Sequence, residues 1–405
     1  MSVEKAYDLL LKGGHVIDPA NKIDGKMDVG VKNKKIKRVA SEISSDEAVK
    51  VVDVSDHYVT PGIIDIHTHV YTAWGSSINA DMHLLSAGVT TTADAGTAGW
   101  NNFIDFKETC IDRSRVRIFA FLNIASGGMV LMDTEQNPKE MQPKIAAGVA
   151  ETYSNVIVGI KAAHYWTSKP WDAEHTPWAS VESAVEAGKI CGKPVMVDFW
   201  PRLPERPYPD LILKKLRPGD IHTHVFAQQF PIVDDKGKVY DYMRQARDRG
   251  TIFDLGHGAG SFWFRNAVPA WEDGFYPDSI STDLHTGNIN GPVVSMLNTM
   301  SKMLSIGMPI QEVIYRSTVT PAKEINHPEL GNLSIDADAD IAVLKYLEGK
   351  FGFSDCGRAK MIGTKKFDCI MTIRAGDIVF DPTGLSMPEW KNAPAPYWVI
   401  PSLQG

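Results

Sequence analysis

The sequence has few cysteines, no long apolar run and no basic tract, and each shortage excludes a class of protein. Cys110, Cys191, Cys356 and Cys369 are widely spaced, and none belongs to a C-x-x-C pair. Four cysteines in 405 residues read as free thiols of a reducing compartment, not as a disulfide frame. No segment approaches the ~18 uninterrupted apolar residues of a membrane span. The opening Met-Ser-Val-Glu-Lys-Ala-Tyr carries no apolar run of signal-peptide length. A net charge of −7 without a basic run argues against a nucleic-acid surface. The expectation left by these absences is a cytoplasmic protein without nucleic-acid or membrane partners. The remaining composition, 43% hydrophobic and 22% charged, is that of an ordinary globular chain. Its length suits several domains or a barrel with an accessory lobe.

Histidine is scarce too, with 12 residues, which makes its distribution informative. The hexapeptide Asp-Ile-His-Thr-His-Val occurs at 65–70 and again at 220–225, each time shortly after a Pro-Gly, Pro61-Gly62 and Pro218-Gly219. The flanks are β-branched and apolar, as in strands. Residues at i and i+2 of a strand point to one side, so His67 and His69 are expected to share a face, and His222 and His224 likewise. Two imidazoles on one face are a ready pair of ligands for a divalent metal.

The chain has two textures. Residues 9–17, 27–31, 35–40 and 51–54 read as short strands between Gly, Asn, Lys and Asp turns, and 341–345, 369–374 and 377–380 repeat that pattern. Between them, strand candidates at 63–67, 90–94, 117–124, 156–161, 194–198, 220–225, 251–256 and 280–283 alternate with stretches at helical spacing such as 80–87, 178–191, 239–249 and 292–306. Eight such strands suggest a (β/α)8 barrel spanning residues 59–328. Residues 1–58 and 329–405 would then form one small β lobe from both chain ends. An open α/β sheet is the alternative, disfavoured because no Gly-rich dinucleotide fingerprint follows an early strand.

Functional groups of a barrel gather at the C-terminal strand ends. Those ends carry His67, His69, Asp94, Lys161, Asp198, His222, His224, His257 and Asp283, a concentration of metal-capable side chains. Asp94 is as readily a loop cap. Aromatic residues crowd the loops that follow, among them Tyr71, Trp74, Trp100, Tyr165, Trp166, Trp200 and Trp263. Singly these anchor loops; together they suggest an apolar or aromatic substrate pocket.

Pro61-Gly62-Ile63-Ile64-Asp65-Ile66-His67-Thr68-His69 resembles the first-strand signature of the amidohydrolase superfamily. Gly159-Ile160-Lys161 resembles its fourth-strand lysine, which is carboxylated there and bridges two metals. Thr223-His224-Val225-Phe226 is similar to the sixth-strand histidine motif, and Ser281-Thr282-Asp283 to the eighth-strand aspartate. Leu122-Asn123-Ile124, Phe253-Asp254-Leu255-Gly256-His257-Gly258 and Leu216-Arg217-Pro218-Gly219-Asp220 resemble the dihydroorotase-like deacetylase branch. The resemblance spans essentially the whole chain. It implies a TIM barrel with a β-sandwich lobe, two divalent ions (zinc, with manganese or iron as alternatives) and a Lys161 carboxylated by CO2. It also implies His67, His69, Lys161, His224 and Asp283 as ligands, with a homo-oligomer as a family expectation. A metal-bound hydroxide would attack a carbonyl, and Asp283 would take its proton and return it to the leaving group. His257, between two glycines, is expected to contact substrate and assist catalysis; Trp100, His164 and Trp200 are further substrate contacts.

Two positions depart from the family pattern. Asp198 follows the fifth strand where the family has histidine. Three readings are open: Asp198 replaces that ligand, His222 moves in, or the second metal is weak or absent. A carboxylate there adds a negative charge and favours oxygen-preferring ions such as Mn²⁺ or Fe²⁺. After Lys161 the run Ala162-Ala163-His164-Tyr165-Trp166 lacks the basic residue expected in the deacetylase branch, so an anionic substrate is less firmly implied. The activity implied is hydrolysis of an amide, cyclic amide or ester of a small molecule. The alternatives are deamination of a nitrogen heterocycle and a non-catalytic scaffold, the latter at odds with the retained ligands.

Overall fold

The alternating apolar positions of the first sixty residues do form strands in the computed structural model, which describes residues 4–166 and 170–393. β1 (Tyr7–Asp18), β2 (Ile23–Lys32), β3 (Lys35–Ala40), β4 (Ala48–Asp53) and β5 (Tyr58–Pro61) come first. β6 (Ile63–Thr68), β7 (Val89–Gly99), β8 (Arg117–Asn123), β9 (Ile157–Ala162), β10 (Val195–Val197), β11 (Ile221–His222) and β12 (Ile252–Phe253) follow. β13 (Ile341–Ser354), β14 (Lys360–Arg374) and β15 (Asp377–Phe380) come last. Among the described residues these strands make two sheets, of eight and seven strands. Residues 1–3 and 394–405, parts of the expected terminal segments, lie outside the described residues.

The first sheet contains both ends of the described chain. β13 runs antiparallel to β5, with Val343 opposite Val59 and Ile341 opposite Pro61. β1 changes partner along its length, pairing with β4 over Tyr7–Lys12 and with β5 at His15 and Val16. Leu11, Val16, Val31, Val59, Ile341 and Val343 belong to the core of this sheet. Hydrogen bonding joins all eight strands, with the order β15-β14-β13-β5-β1-β2-β3 and β4 paired to β1. The sandwich expected from the sequence is thus, by its pairing, one continuous sheet.

The second sheet is parallel, in the order β12-β11-β10-β9-β8-β7-β6. Its strands are buried on both sides, as parallel strands covered by helices must be. Ile64, Ile66, Ala93, Phe121, Val158 and Met196 form one apolar cluster. A larger one includes Ile63, Leu122, Ile157 and Val195 with Val181 and Ala184 of the helix Ala179–Ile190.

The expected eighth strand is not a strand, because Asp283 adopts a left-handed φ of 51°. The segment still links the two edges of the sheet. Isolated parallel bridges pair Asp254 with Ser279 and Thr68 with Leu284, and the Asp283 N–H donates to the His67 carbonyl at 2.6 Å. Asp283 is thereby held against the C-terminal end of β6. Among the described residues no helix is long and apolar enough to cross a membrane.

Candidate metal centre

His67, the penultimate residue of β6, and His69, just beyond it, point toward Asp283. One ligand-capable atom from each of the three lies within 4.8 Å of the others. Asp283 Oδ1 is 2.9 Å from His69 Nε2 and 3.6 Å from His67 Nε2. The far side of each ring is fastened. His69 Nδ1 meets Thr97 Oγ1 at 2.8 Å, and His67 Nδ1 meets Thr223 Oγ1 at 2.9 Å. The Thr223 hydroxyl donates its own proton to Asp254 Oδ2 at 2.7 Å, so toward His67 it accepts. His67 therefore carries hydrogen on Nδ1 and presents the Nε2 lone pair to the cluster, the orientation a metal needs. Burial, with Lys161 nearby, pulls the His67 pKa down to about 3 and keeps the ring neutral. Burial pushes the Asp283 carboxyl up, but His67, His69 and His224 outweigh it and hold the pKa far below the usual range.

A second group faces this one. Lys161, in β9, is buried with Nζ 3.4 Å from His67 Nε2. Burial drags its pKa below the ordinary lysine value, against the pull of Asp198 and Asp283. His224 donates Nδ1–H to the Gly256 carbonyl at 2.6 Å and turns Nε2 toward Asp198 Oδ2, 3.8 Å away. A β-carbon on Gly256 would fall 2.8 Å from His224 Nδ1 and 2.2 Å from Thr223 Oγ1, so only glycine admits this packing. Asp198 Oδ2 is also 4.0 Å from His164 Nε2, and His164 Nδ1 lies 3.0 Å from Glu135 Oε2. Burial opposes the His164 proton, yet Glu135 and Asp198 raise its pKa above the ordinary value.

His67, His69, Lys161, His164, Asp198, His224 and Asp283 all line one cavity of about 210 Å³. Trp74, Met129, Met132, Ala163 and His285 complete its wall. The inward-facing imidazole nitrogens, the carboxylates and the buried amine fit divalent-metal chemistry.

Other expected site residues lie elsewhere. His222, the alternative ligand, does not line the cavity. Its ring packs among Tyr208, Phe230 and Phe253, with centroids 5.3, 4.7 and 6.0 Å away, and neither ring nitrogen has a partner. β11 ends at His222, and His224 adopts φ 64°. The i, i+2 rule therefore fails there, and His222 faces the apolar side. His257 also lies outside the cavity lining. Its Nε2 is 2.6 Å from Lys302 Nζ and its ring stacks on Phe262, away from the cavity wall. The loop that carries it still abuts Asp283, since a β-carbon on Gly258 would lie 2.7 Å from Asp283 Oδ2. Trp100, half-buried, donates Nε1–H to the Glu140 carbonyl at 3.3 Å, and Trp200 is exposed beside Trp166. Neither lines the cavity, so the apolar wall is Trp74 with two methionines, not a ring of aromatics. Asp94 is a loop fastener, accepting from the N–H groups of Val70 and Thr97, both at 2.8 Å.

Sequence reasoning missed Thr97, Thr223, Asp254 and Glu135, which fasten the cavity's imidazoles directly or through Thr223. The Thr223 hydroxyl lies inside the repeated hexapeptide and Asp254 inside a family motif, so both carried a signal. It also missed His285, two residues after Asp283.

No family model matches the sequence. The chain is 34% identical to a deacetylase of Brucella anthropi over 333 residues, 80% of each chain. It is 29% identical to a deacetylase of Enterococcus faecalis over 376 residues, 92% of this chain and 99% of that one. Among solved structures it is similar to an adenine deaminase (TM-score 0.83, 29% identity, 93% of this chain and 100% of that one). It is also similar to a dihydroorotase (TM-score 0.81, 28% identity, 92% and 99%).

Proposed function

The chain belongs to the amidohydrolase superfamily and is a hydrolase of carbon–nitrogen bonds; from that premise we propose that it cleaves the acyl–nitrogen bond of a small N-acylated amine or cyclic amide at a two-metal centre. In this reading residues 279–284 serve as the eighth strand of a (β/α)8 barrel whose mouth holds the centre. The observation that carries it is the convergence of His67, His69 and Asp283 within 4.8 Å, with the outer nitrogen of each ring already committed.

When bound, the metal pair supplies a Lewis acid for the carbonyl and lowers the pKa of the attacking water. His67 and His69 would hold one ion through Nε2, and His224 and Asp198 the other. Lys161, as its carbamate, would help to hold the metal pair. Forming it requires a neutral amine, which the burial of Nζ favours. Asp283 would accept the proton of the attacking water and deliver it to the departing nitrogen. His285 Nδ1 accepts the Gly287 N–H at 3.1 Å, so its proton is on Nε2, available to a substrate oxygen in the cavity. Trp74, Met129 and Met132 would shelter the acyl group or its apolar neighbour. The deacetylase relatives favour an acetylated amine as substrate.

Deamination of a nitrogen heterocycle is the second reading, favoured by the likeness to an adenine deaminase structure. Elemental analysis of the purified protein and a turnover panel of N-acetyl amino acids, cyclic imides, aryl esters and adenine separate the two. Metal-dependent release of acetate or ring-opened product supports the proposal. Ammonia from adenine alone supports the alternative. A protein without metal and without turnover on the whole panel refutes both.

A further inference from the structure

We propose that His164, from the loop after β9, supplies to the second metal the imidazole that is missing from the end of β10. This rests on the two-metal reading above. Asp198 occupies the position after β10, and its Oδ2 stands between two ring nitrogens, 3.8 Å from His224 Nε2 and 4.0 Å from His164 Nε2. Two atoms bound at about 2.1 Å to a common ion lie no more than ~4.2 Å apart, so both separations suit a shared ion. Among the described residues this trio is less tightly gathered than His67, His69 and Asp283.

The His164 ring is prepared as the other ligand rings are. Its Nδ1 faces Glu135 Oε2 at 3.0 Å, and the second oxygen of that buried carboxylate accepts from Asn123 Nδ2 at 2.7 Å. A carboxylate only accepts, so Nδ1 is the donor and Nε2 is the coordinating atom on the cavity side. Carboxylate-backed imidazole is the usual arrangement around a bound metal. The backbone carries a second sign. His164 has φ 43°, beside 64° at His224 and 51° at Asp283. Left-handed backbone is disfavoured for residues with a β-carbon, and such outliers gather at functional sites. Gln136 pins this turn by donating its amide to the His164 carbonyl. His222, the other candidate, packs in its aromatic shell and does not line the cavity.

The test compares wild type, His164→Gln and Glu135→Gln, each stripped by chelator and reconstituted with Zn²⁺. Metal per chain is read by elemental analysis and affinity by chelator competition; Co²⁺ absorption reports the ligand set of each site. The expected result is two ions in wild type and one in His164→Gln. In Glu135→Gln, which keeps the imidazole should His164→Gln fold poorly, the second ion binds 10–100-fold more weakly. Two ions of unchanged affinity in His164→Gln overturn the assignment, as does a wild type that takes only one. A wild type that binds no metal refutes the parent reading instead.

Discussion

Thr223→Val isolates one hydroxyl that orients a ligand without touching the cavity. The Oγ1 sits 2.9 Å from His67 Nδ1 and 2.7 Å from Asp254 Oδ2. Valine matches its shape but not its hydrogen bonds. Asp254 is little harmed, because Ser281 Oγ still donates to Oδ2 at 2.7 Å and Ser279 Oγ to Oδ1 at 2.8 Å. The loss falls on His67, whose buried Nδ1–H is left without a partner, a cost of about 1–3 kcal/mol. Loss of an orienting partner weakens metal binding by about 10–100-fold, or about 1.4–2.8 kcal/mol, so the two routes agree. Asp254 Oδ2 stands only 3.6 Å from the same nitrogen, and a small ring shift recovers part of the bond. The expected penalty is therefore near the lower bound, about tenfold in affinity. Chelator competition on Thr223→Val and Thr223→Ser is the assay, with urea unfolding of the metal-free proteins as the companion. Serine keeps the hydroxyl and should bind like wild type. A valine variant within twofold of wild type, or a serine variant as weak as valine, refutes the orienting role.

Two further substitutions probe buried groups outside the cavity. His222→Phe removes two unpartnered ring nitrogens from an aromatic shell, and an apolar group of similar shape should hold or raise stability; unfolding and metal content check it, and loss of an ion would restore His222 as a ligand. Lys302 is buried against His257 and the Pro292 carbonyl, and burial, opposed by Cys356 and Asp355, takes its pKa down to about 7 from 10.5. The unfolded chain then binds the extra proton between those values, so stability rises with pH across that window, by at most on the order of 5 kcal/mol. Urea unfolding at pH 7 and pH 10 should show wild type gaining several kcal/mol relative to Lys302→Met on that estimate, and a difference independent of pH would contradict the burial argument.

The parallel sheet and most of the cavity at its C-terminal strand ends were legible because strand periodicity and strand-end position are local properties. β6 to β12 all overlap strands read from apolar runs, and six of the eight cavity-lining residues that carry a charge or an imidazole, Asp198 among them, were named as candidate metal ligands. The misreadings come from backbone that leaves the extended region. Asp283 at φ 51° interrupts the eighth strand, although its neighbours keep the bridges to Asp254 and Thr68 sides of the sheet. β5 went unread because it is four residues long and abuts the Pro-Gly that announces β6. Glu135 was invisible for another reason. It lies in a 3-10 segment, Gly128–Gln136, without periodicity, and acts through a contact 29 residues away in sequence.

The repeated hexapeptide shows how one string of residues takes two roles. In both copies the final valine is buried apolar core, and in both the second histidine reaches the cavity. The first histidines diverge: His67 lines the cavity, whereas His222 stays on the apolar side. The threonines diverge with them. Thr68 Oγ1 pairs with Thr92 Oγ1 at 2.7 Å between neighbouring strands, while Thr223 Oγ1 reaches across to His67. At the end of β11 His222 turns to the aromatic shell and Thr223 to His67, and the left-handed turn at His224 brings the next ring to the cavity. The second copy thus contributes one cavity-facing imidazole and the hydroxyl that fastens an imidazole of the first. The copies work on each other, and the further imidazole that lines the cavity, His164, belongs to neither.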